Sequence, residues 1–260
     1  MKRVGSLAGL AILAALAASA AALGADSPNQ KCIDSLGTAN ADVGNTASLQ
    51  KGARNFANYC LGCHSLGYMR WNRVATDLGL SEEQLKSSLI LTGDKPHDYI
   101  RSPMPAKDAE QWFGRAPPDL TLITRSKGSD YVYRFLKSFY EDNSPTRPTG
   151  VNNLMLDGAS MPAVLADLQG VQRLRFHLED EKATGSAATK VCDALELAQP
   201  GRMTPAEFDG FVHDTVDFLT YIGEPVKAER ESLGVLVVLF LAVFTVFAYL
   251  LKKEYWKDVH

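Results

Sequence analysis

Cys60-Leu61-Gly62-Cys63-His64 is the stretch whose residue types can do chemistry. Two thiols three positions apart, with histidine directly after the second, are the attachment signature of a c-type haem. Positions i, i+3 and i+4 fall on one face of a helical turn. Cys60, Cys63 and His64 can therefore all address one flat ligand. The thiols would hold its vinyl edges through thioether bonds and the imidazole would reach the iron. A second strong-field ligand such as methionine would then close the iron for electron transfer. A CxxC pair also serves thiol redox centres and zinc half-sites. No thioredoxin-like βαβ pattern surrounds this one, and no second ligand pair is spaced for zinc. One CxxCH predicts one haem.

Helices must hold that motif. Ser48 to Tyr59 reads as a short helix leading into it, with Ala53, Phe56 and Ala57 on one face. Ser81-Glu82-Glu83-Gln84 is a capping box, predicting a helix to about Leu91. Asp130 to Tyr140 reads as an amphipathic helix with Tyr131, Phe135 and Phe139 in a stripe that ordinary core packing explains as well as cofactor contact. Thr204-Pro205-Ala206-Glu207 opens another helix, to about Ile222, with Phe208, Phe211, Val212, Val216 and Leu219 buried. His213 beside that stripe reads as structural. Residues 26–47 read as an extended segment on the surface. Residues 166–200 are polar, with a strand at Val171 to Leu178.

The remaining chemistry lies in loops. Residues 93–129 are proline-rich and long for a compact domain, which usually signals a function. In a haem protein that function is to cover the macrocycle edge, and the stiff run Ala116-Pro117-Pro118-Asp119-Leu120 makes Pro118 a candidate contact. Arg125 is a candidate partner for a haem propionate, since a guanidinium meets a carboxylate with paired hydrogen bonds; a solvated surface arginine fits the spacing equally. Met161, held by Pro162, suits a distal iron ligand. Met69 is too near His64 to cross to the other haem face, while Met104, between two prolines, is the local rival.

The ends of the chain place it. Residues 1–25, with Lys2 and Arg3 before an Ala/Leu-rich run, read as a cleaved secretory signal. Residues 26–231 would form the exported domain. Leu233 to Leu251 carries no charge and at about 1.5 Å per residue reaches about 28 Å, enough to span a bilayer. This predicts a transmembrane anchor at 232–251 and a cytoplasmic tail at 252–260. Lys252, Lys253 and Lys257 put the C-terminus inside and the haem domain in the periplasm. In that oxidising compartment the leftover pair Cys32 and Cys192 is expected to form a disulfide. The formal net charge of −3 argues against nucleic acid as a partner, and an acidic exported domain would attract a basic one.

Asn58-Tyr59-Cys60-Leu61-Gly62-Cys63-His64-Ser65, Met69-Arg70, Trp112-Phe113-Gly114, Pro117-Pro118-Asp119-Leu120, Asp130-Tyr131-Val132-Tyr133, Arg147-Pro148-Thr149-Gly150, Ser160-Met161-Pro162 and the C-terminal anchor together resemble the cytochrome c1 family of bacterial type. The resemblance covers nearly the whole mature chain. It implies a mainly α, cytochrome c-like haem domain with long inserted loops and one C-terminal transmembrane helix. It implies one covalently bound haem c with His64 and Met161 on the iron, Arg125 near a propionate and Tyr131 in the haem pocket. It also implies an electron-transfer subunit of the ubiquinol–cytochrome c reductase in the bacterial inner membrane, without catalysis of its own. Its partners would be cytochrome b and a Rieske iron–sulfur protein in a dimeric complex, with a soluble or tethered c-type cytochrome as acceptor. A positive potential and low-spin iron in both states would follow. The alternatives are a free-standing anchored monohaem shuttle and, from another class, a thiol–disulfide exchange protein. Two features depart from the family pattern: the Cys32 and Cys192 pair, and Ala163 after Pro162, where relatives often have a second proline.

Overall fold

The computed structural model describes residues 29–145, 147, 149–179 and 189–258; the signal read in residues 1–25 lies outside the described residues. The chain enters through α1 (Gln30–Ser35) rather than a wholly extended segment, with Cys32 buried on the body of the protein. α2 (Thr46–Tyr59) starts where the Asn45 side chain accepts from the Ser48 N–H, and it runs into the CxxCH motif. β1 (Leu66–Arg70) pairs antiparallel with β2 (Tyr99–Ile100). Between them lie α3 (Trp71–Asp77) and α4 (Glu82–Ser88). Ser81 and Gln84 form the reciprocal cap of α4. That helix stops short of Leu91 because Leu89 and Ile90 turn into the core.

α5 (Ala106–Phe113), α6 (Ile123–Lys127) and α7 (Ser129–Lys137) follow, the first two within the proline-rich stretch. α7 is shorter than the stripe of Tyr131, Phe135 and Phe139 predicts. The side-chain amides of Gln169 and Gln172 both donate to the Lys137 carbonyl at 2.9 Å, and Gln172 also donates to that of Phe139 at 2.9 Å. Those carbonyls are thus satisfied from outside a helix. Phe139 instead begins β3 (Phe139–Glu141), paired with β4 (Val151–Asn153).

After α8 (Ala166–Gln169), β5 (Gly170–Glu179) and β6 (Thr189–Pro200) form a long hairpin. The sequence reading has only part of its first strand. Register shifts at Val171/Gln172 and Arg175/Phe176 break the alternation that would have marked both strands. α9 (Pro205–Gly223) carries the full Thr204–Glu207 capping box with Pro205 in its first turn. Three residues, Glu224, Pro225 and Val226, connect it to α10 (Lys227–Tyr255), which is long and apolar enough to cross a membrane and has no buried residue.

The main core is the crossing of α2 and α9. Phe56 meets Phe218 with ring centroids 6.0 Å apart, and Tyr59 meets Phe211 edge-on at 5.3 Å. Val74, Leu78, Leu85, Val132 and Leu136 close round them. Asn55, buried in this seam, donates to the Phe211 carbonyl and to Thr215 Oγ1, both at 3.2 Å. Gly52 permits the close approach: a Cβ there would lie 2.0 Å from the Asp214 carbonyl oxygen and 2.6 Å from Phe218 Cβ. Backbone cannot yield as a side chain can. Gly52→Ala is therefore expected to cost about 3 kcal/mol, the upper end of ordinary overpacking, read as a lowered denaturant midpoint at unchanged slope. A smaller cluster joins Cys32, Leu154 and Cys192 with Ile33, Tyr140, Leu174 and Leu195 around it. There Cys32 and Cys192 are disulfide-bonded, their Cα atoms 6.0 Å apart.

Candidate haem site

α2 ends at Tyr59, but the turn continues. Cys60 N–H still donates to the Phe56 carbonyl at 2.9 Å, and the Cys63 and His64 N–H groups both donate to the Cys60 carbonyl, at 3.0 and 2.8 Å. The i, i+3, i+4 spacing is thus realised in a turn just beyond the helix. Cys60, Cys63 and His64 all line one cavity of about 290 Å³. Its walls are mostly apolar: Tyr59, Phe113, Leu120 and Ile123 from the first half of the chain, then Tyr131, Phe135 and Leu136 from α7, and Phe211 from α9. Met161 lines the same cavity.

The stiff Ala116–Leu120 stretch is laced to the motif. His64 Nδ1 lies 2.8 Å from the Pro118 carbonyl oxygen, Leu120 N–H donates to the Ser65 carbonyl at 2.9 Å, and Gly67 N–H donates to Asp119 Oδ2 at 2.7 Å. A proline carbonyl can only accept, so Nδ1 carries the proton and Nε2 keeps its lone pair for a metal. Burial pushes the His64 imidazole below its ordinary value, against the Pro118 hydrogen bond and the Asp119 charge, which favours the neutral ligating form. The Cys60 thiol is pushed up to about 12, by burial first and by Cys63 second, and burial raises Cys63 as well. Burial thus disfavours a thiolate at either sulfur, the opposite of what a thiol–disulfide exchange centre needs.

Tyr131 and Pro118 line the cavity, as the motifs lead one to expect, and the Tyr131 hydroxyl donates to the Met155 carbonyl at 3.5 Å. The structure does not bring Arg125 there. Its guanidinium sits 3.1 Å from Glu224. The cations on the cavity are Arg115 and Lys127, not the arginine that the sequence suggests. The reason is helical phase. Ile123 and Lys127 are i and i+4 on α6 and share the inward face, whereas position 125 lies about 200° round from each. The hydrophobic Ile123 four residues before Lys127 was the available signal. Among the other methionines, Met69 is buried in the core and Met203 packs against it, and Met104 does not line the cavity. His213 Nδ1 lies 3.2 Å from Asp217 Oδ2, a structural pairing.

Two thiols, an imidazole with a free Nε2, a thioether far along the chain and an apolar lining are the donor set of haem c. The sequence comparisons agree. Residues 41–259 match the model of the Cytochrome C1 family. The chain belongs to the cytochrome c1 family. It is 50% identical over 225 residues to cytochrome c1 of Allochromatium vinosum, covering 86% of this chain and 90% of that protein. It is 44% identical over 219 residues to a Nitrosomonas europaea protein named ammonia monooxygenase gamma subunit, covering 84% of this chain and 86% of that one. Cytochrome c1 of Rhodospirillum rubrum is 28% identical over 233 residues, with 81% of each chain covered. A cytochrome c1 carries covalently bound haem c and serves as the haem electron-transfer subunit of the membrane-anchored bc1 complex. The mainly α domain followed by one apolar C-terminal helix is the architecture of that family.

Proposed function

We propose that this chain takes one electron from a Rieske iron–sulfur protein and passes it to a soluble or tethered c-type cytochrome. Cys60 and Cys63 hold the haem by thioether bonds, and His64 and Met161 ligate its iron. The observation that carries this reading is the shared cavity: residues from opposite halves of the chain, each a known type of haem ligand, line one apolar space. The haem supplies a reversible one-electron couple. The protein's residues do the rest. Pro118 aims the His64 ring, the aromatic walls exclude water, and Arg115 and Lys127 offer charge to the propionates in place of Arg125. The apolar lining disfavours the more charged ferric state, as thioether ligation does, so the potential is positive.

Residues 1–25 act as a cleaved signal, residues 26–231 face the periplasm, 232–251 span the inner membrane and 252–260 remain in the cytoplasm, with Lys252, Lys253 and Lys257 holding that orientation. The chain works beside cytochrome b and the Rieske protein in a dimeric complex. Purification in mild detergent, with haem staining after denaturing electrophoresis and identification of every subunit, tests this. The expected result is one haem-stained band of this chain accompanied by cytochrome b and a Rieske protein. A stained chain that purifies alone would point to a free-standing shuttle, and a band without stain would refute the haem assignment.

A further inference from the structure

We propose that Asn152 is a positioning residue for Met161, its side-chain amide fixing the loop that brings the thioether to the cavity. This rests on the reading of Met161 as an iron ligand. Asn152 is 2% exposed, and its amide fills both donor and both acceptor positions. Nδ2 donates to Asp142 Oδ2 at 3.1 Å and to Asp157 Oδ1 at 2.8 Å. Oδ1 accepts from the Asn153 N–H at 2.9 Å and from the Gly158 N–H at 3.0 Å. One side chain thereby ties the first residue after β3 to the two residues that lie just before Ala159, Ser160 and Met161.

Arg147 reinforces the knot. Its Nε lies 3.4 Å from Asp142 Oδ2 and its Nη2 donates to Asp157 Oδ1 at 2.7 Å. Burial alone would raise the Asp142 carboxyl, but the Ser144 N–H, the Asn152 amide and Arg147 together hold it below the usual carboxylate range. Gly158 turns the chain at φ +73°, with Arg147 Nη1 3.4 Å from where a Cβ would stand. Asn153 next door ties the same strand to the cavity wall, its Nδ2 donating to the Phe135 carbonyl at 2.8 Å.

Asp142, Arg147, Asn152 and Asp157 do not line the cavity. They act on the iron only through where they hold the Met161 sulfur. A ligand on a long loop stays bound only if the loop is already ordered, since each residue fixed afterwards costs conformational entropy. Removing the Asn152 amide takes the acceptor from the Asn153 and Gly158 N–H groups and one donor from each of Asp142 and Asp157, which keep Arg147, and the loop loses its hub.

Carbon monoxide binding to the reduced holoprotein reads this directly, because it reports opening of the sixth iron position. Asn152→Leu is expected to raise the carbon monoxide-reactive fraction on the order of 10-fold, the scale for loss of a residue that orients a metal ligand, with a lowered midpoint potential and the haem still covalently retained. Asp157→Ala, at a largely exposed side chain, gives a smaller rise, and it carries the test if Asn152→Leu cannot be recovered folded. Ser81→Ala, which uncaps the distant α4, changes stability without opening the site. Asn152→Leu and Asp157→Ala at wild-type reactivity and potential, beside a fully reactive Met161→Leu, would overturn the positioning role alone. An unreactive Met161→Leu would overturn the ligand reading and this proposal together.

Discussion

Met161→Leu should lower the reduction potential by on the order of 0.2 V, a fraction of the roughly 0.8 V over which axial ligands set haem potentials. The argument starts from volume. Leucine and methionine are close in size, and such swaps usually cost less than about 1.5 kcal/mol in stability. Met161 is only half-buried and packs at the edge of the main core, so the variant should fold. What it lacks is the sulfur. Thioether ligation favours the ferrous iron, so its loss moves the couple downward and converts the low-spin spectrum to one with an open or water-filled sixth position. Redox titration with the visible spectrum of both states checks this. An unchanged potential and spectrum would remove Met161 from the iron.

Reducing the Cys32–Cys192 bridge should cost about 5 kcal/mol, because the cross-link closes a separation of 160 residues and chain-entropy loss grows with loop length. The bond joins α1 to β6 and, with Leu154, forms the centre of a core that few other side chains support. Nothing nearby compensates. Cys32→Ser should lower the denaturant midpoint as far as reductant lowers that of the wild type, and reductant should then do nothing further to the variant. Alkylation without reduction offers a second check by mass: both cysteines are 1% exposed and bonded to each other, so neither should take a label. Two labels at Cys32 and Cys192 would contradict the bridge.

How much of this was legible in the sequence follows from how local each signal is. CxxCH and the two capping boxes are short patterns whose chemistry is complete within five residues, and the structure forms the caps of α4 and α9 as written. The bridge needed only an inventory of sulfurs and a compartment. Arg125 went astray because facing depends on the phase of a five-residue helix, and phase is set by Ile123 packing inward rather than by charge. The end of α7 was invisible because the groups that stop it, Gln169 and Gln172, come from more than thirty positions later. The second strand of the hairpin hid behind its own bulges, and its apolar positions serve the small core round Cys192 rather than one continuous face. Asn152 gave no signal at all: its four partners are assembled only by the folded loop.

The linkage between α9 and α10 has a bearing on how charge moves. Only Glu224, Pro225 and Val226 separate the helix that walls the cavity from the helix that enters the bilayer. Glu224 grips both sides, 3.1 Å from Arg125 on the domain and 2.6 Å from Arg230 on the membrane helix. So short a stalk, clasped by Glu224 from both sides, leaves the domain little reach from its membrane helix. Under the electron transfer proposed above, donor and acceptor would make the journey, and the protein would serve them as a berth rather than as a ferry.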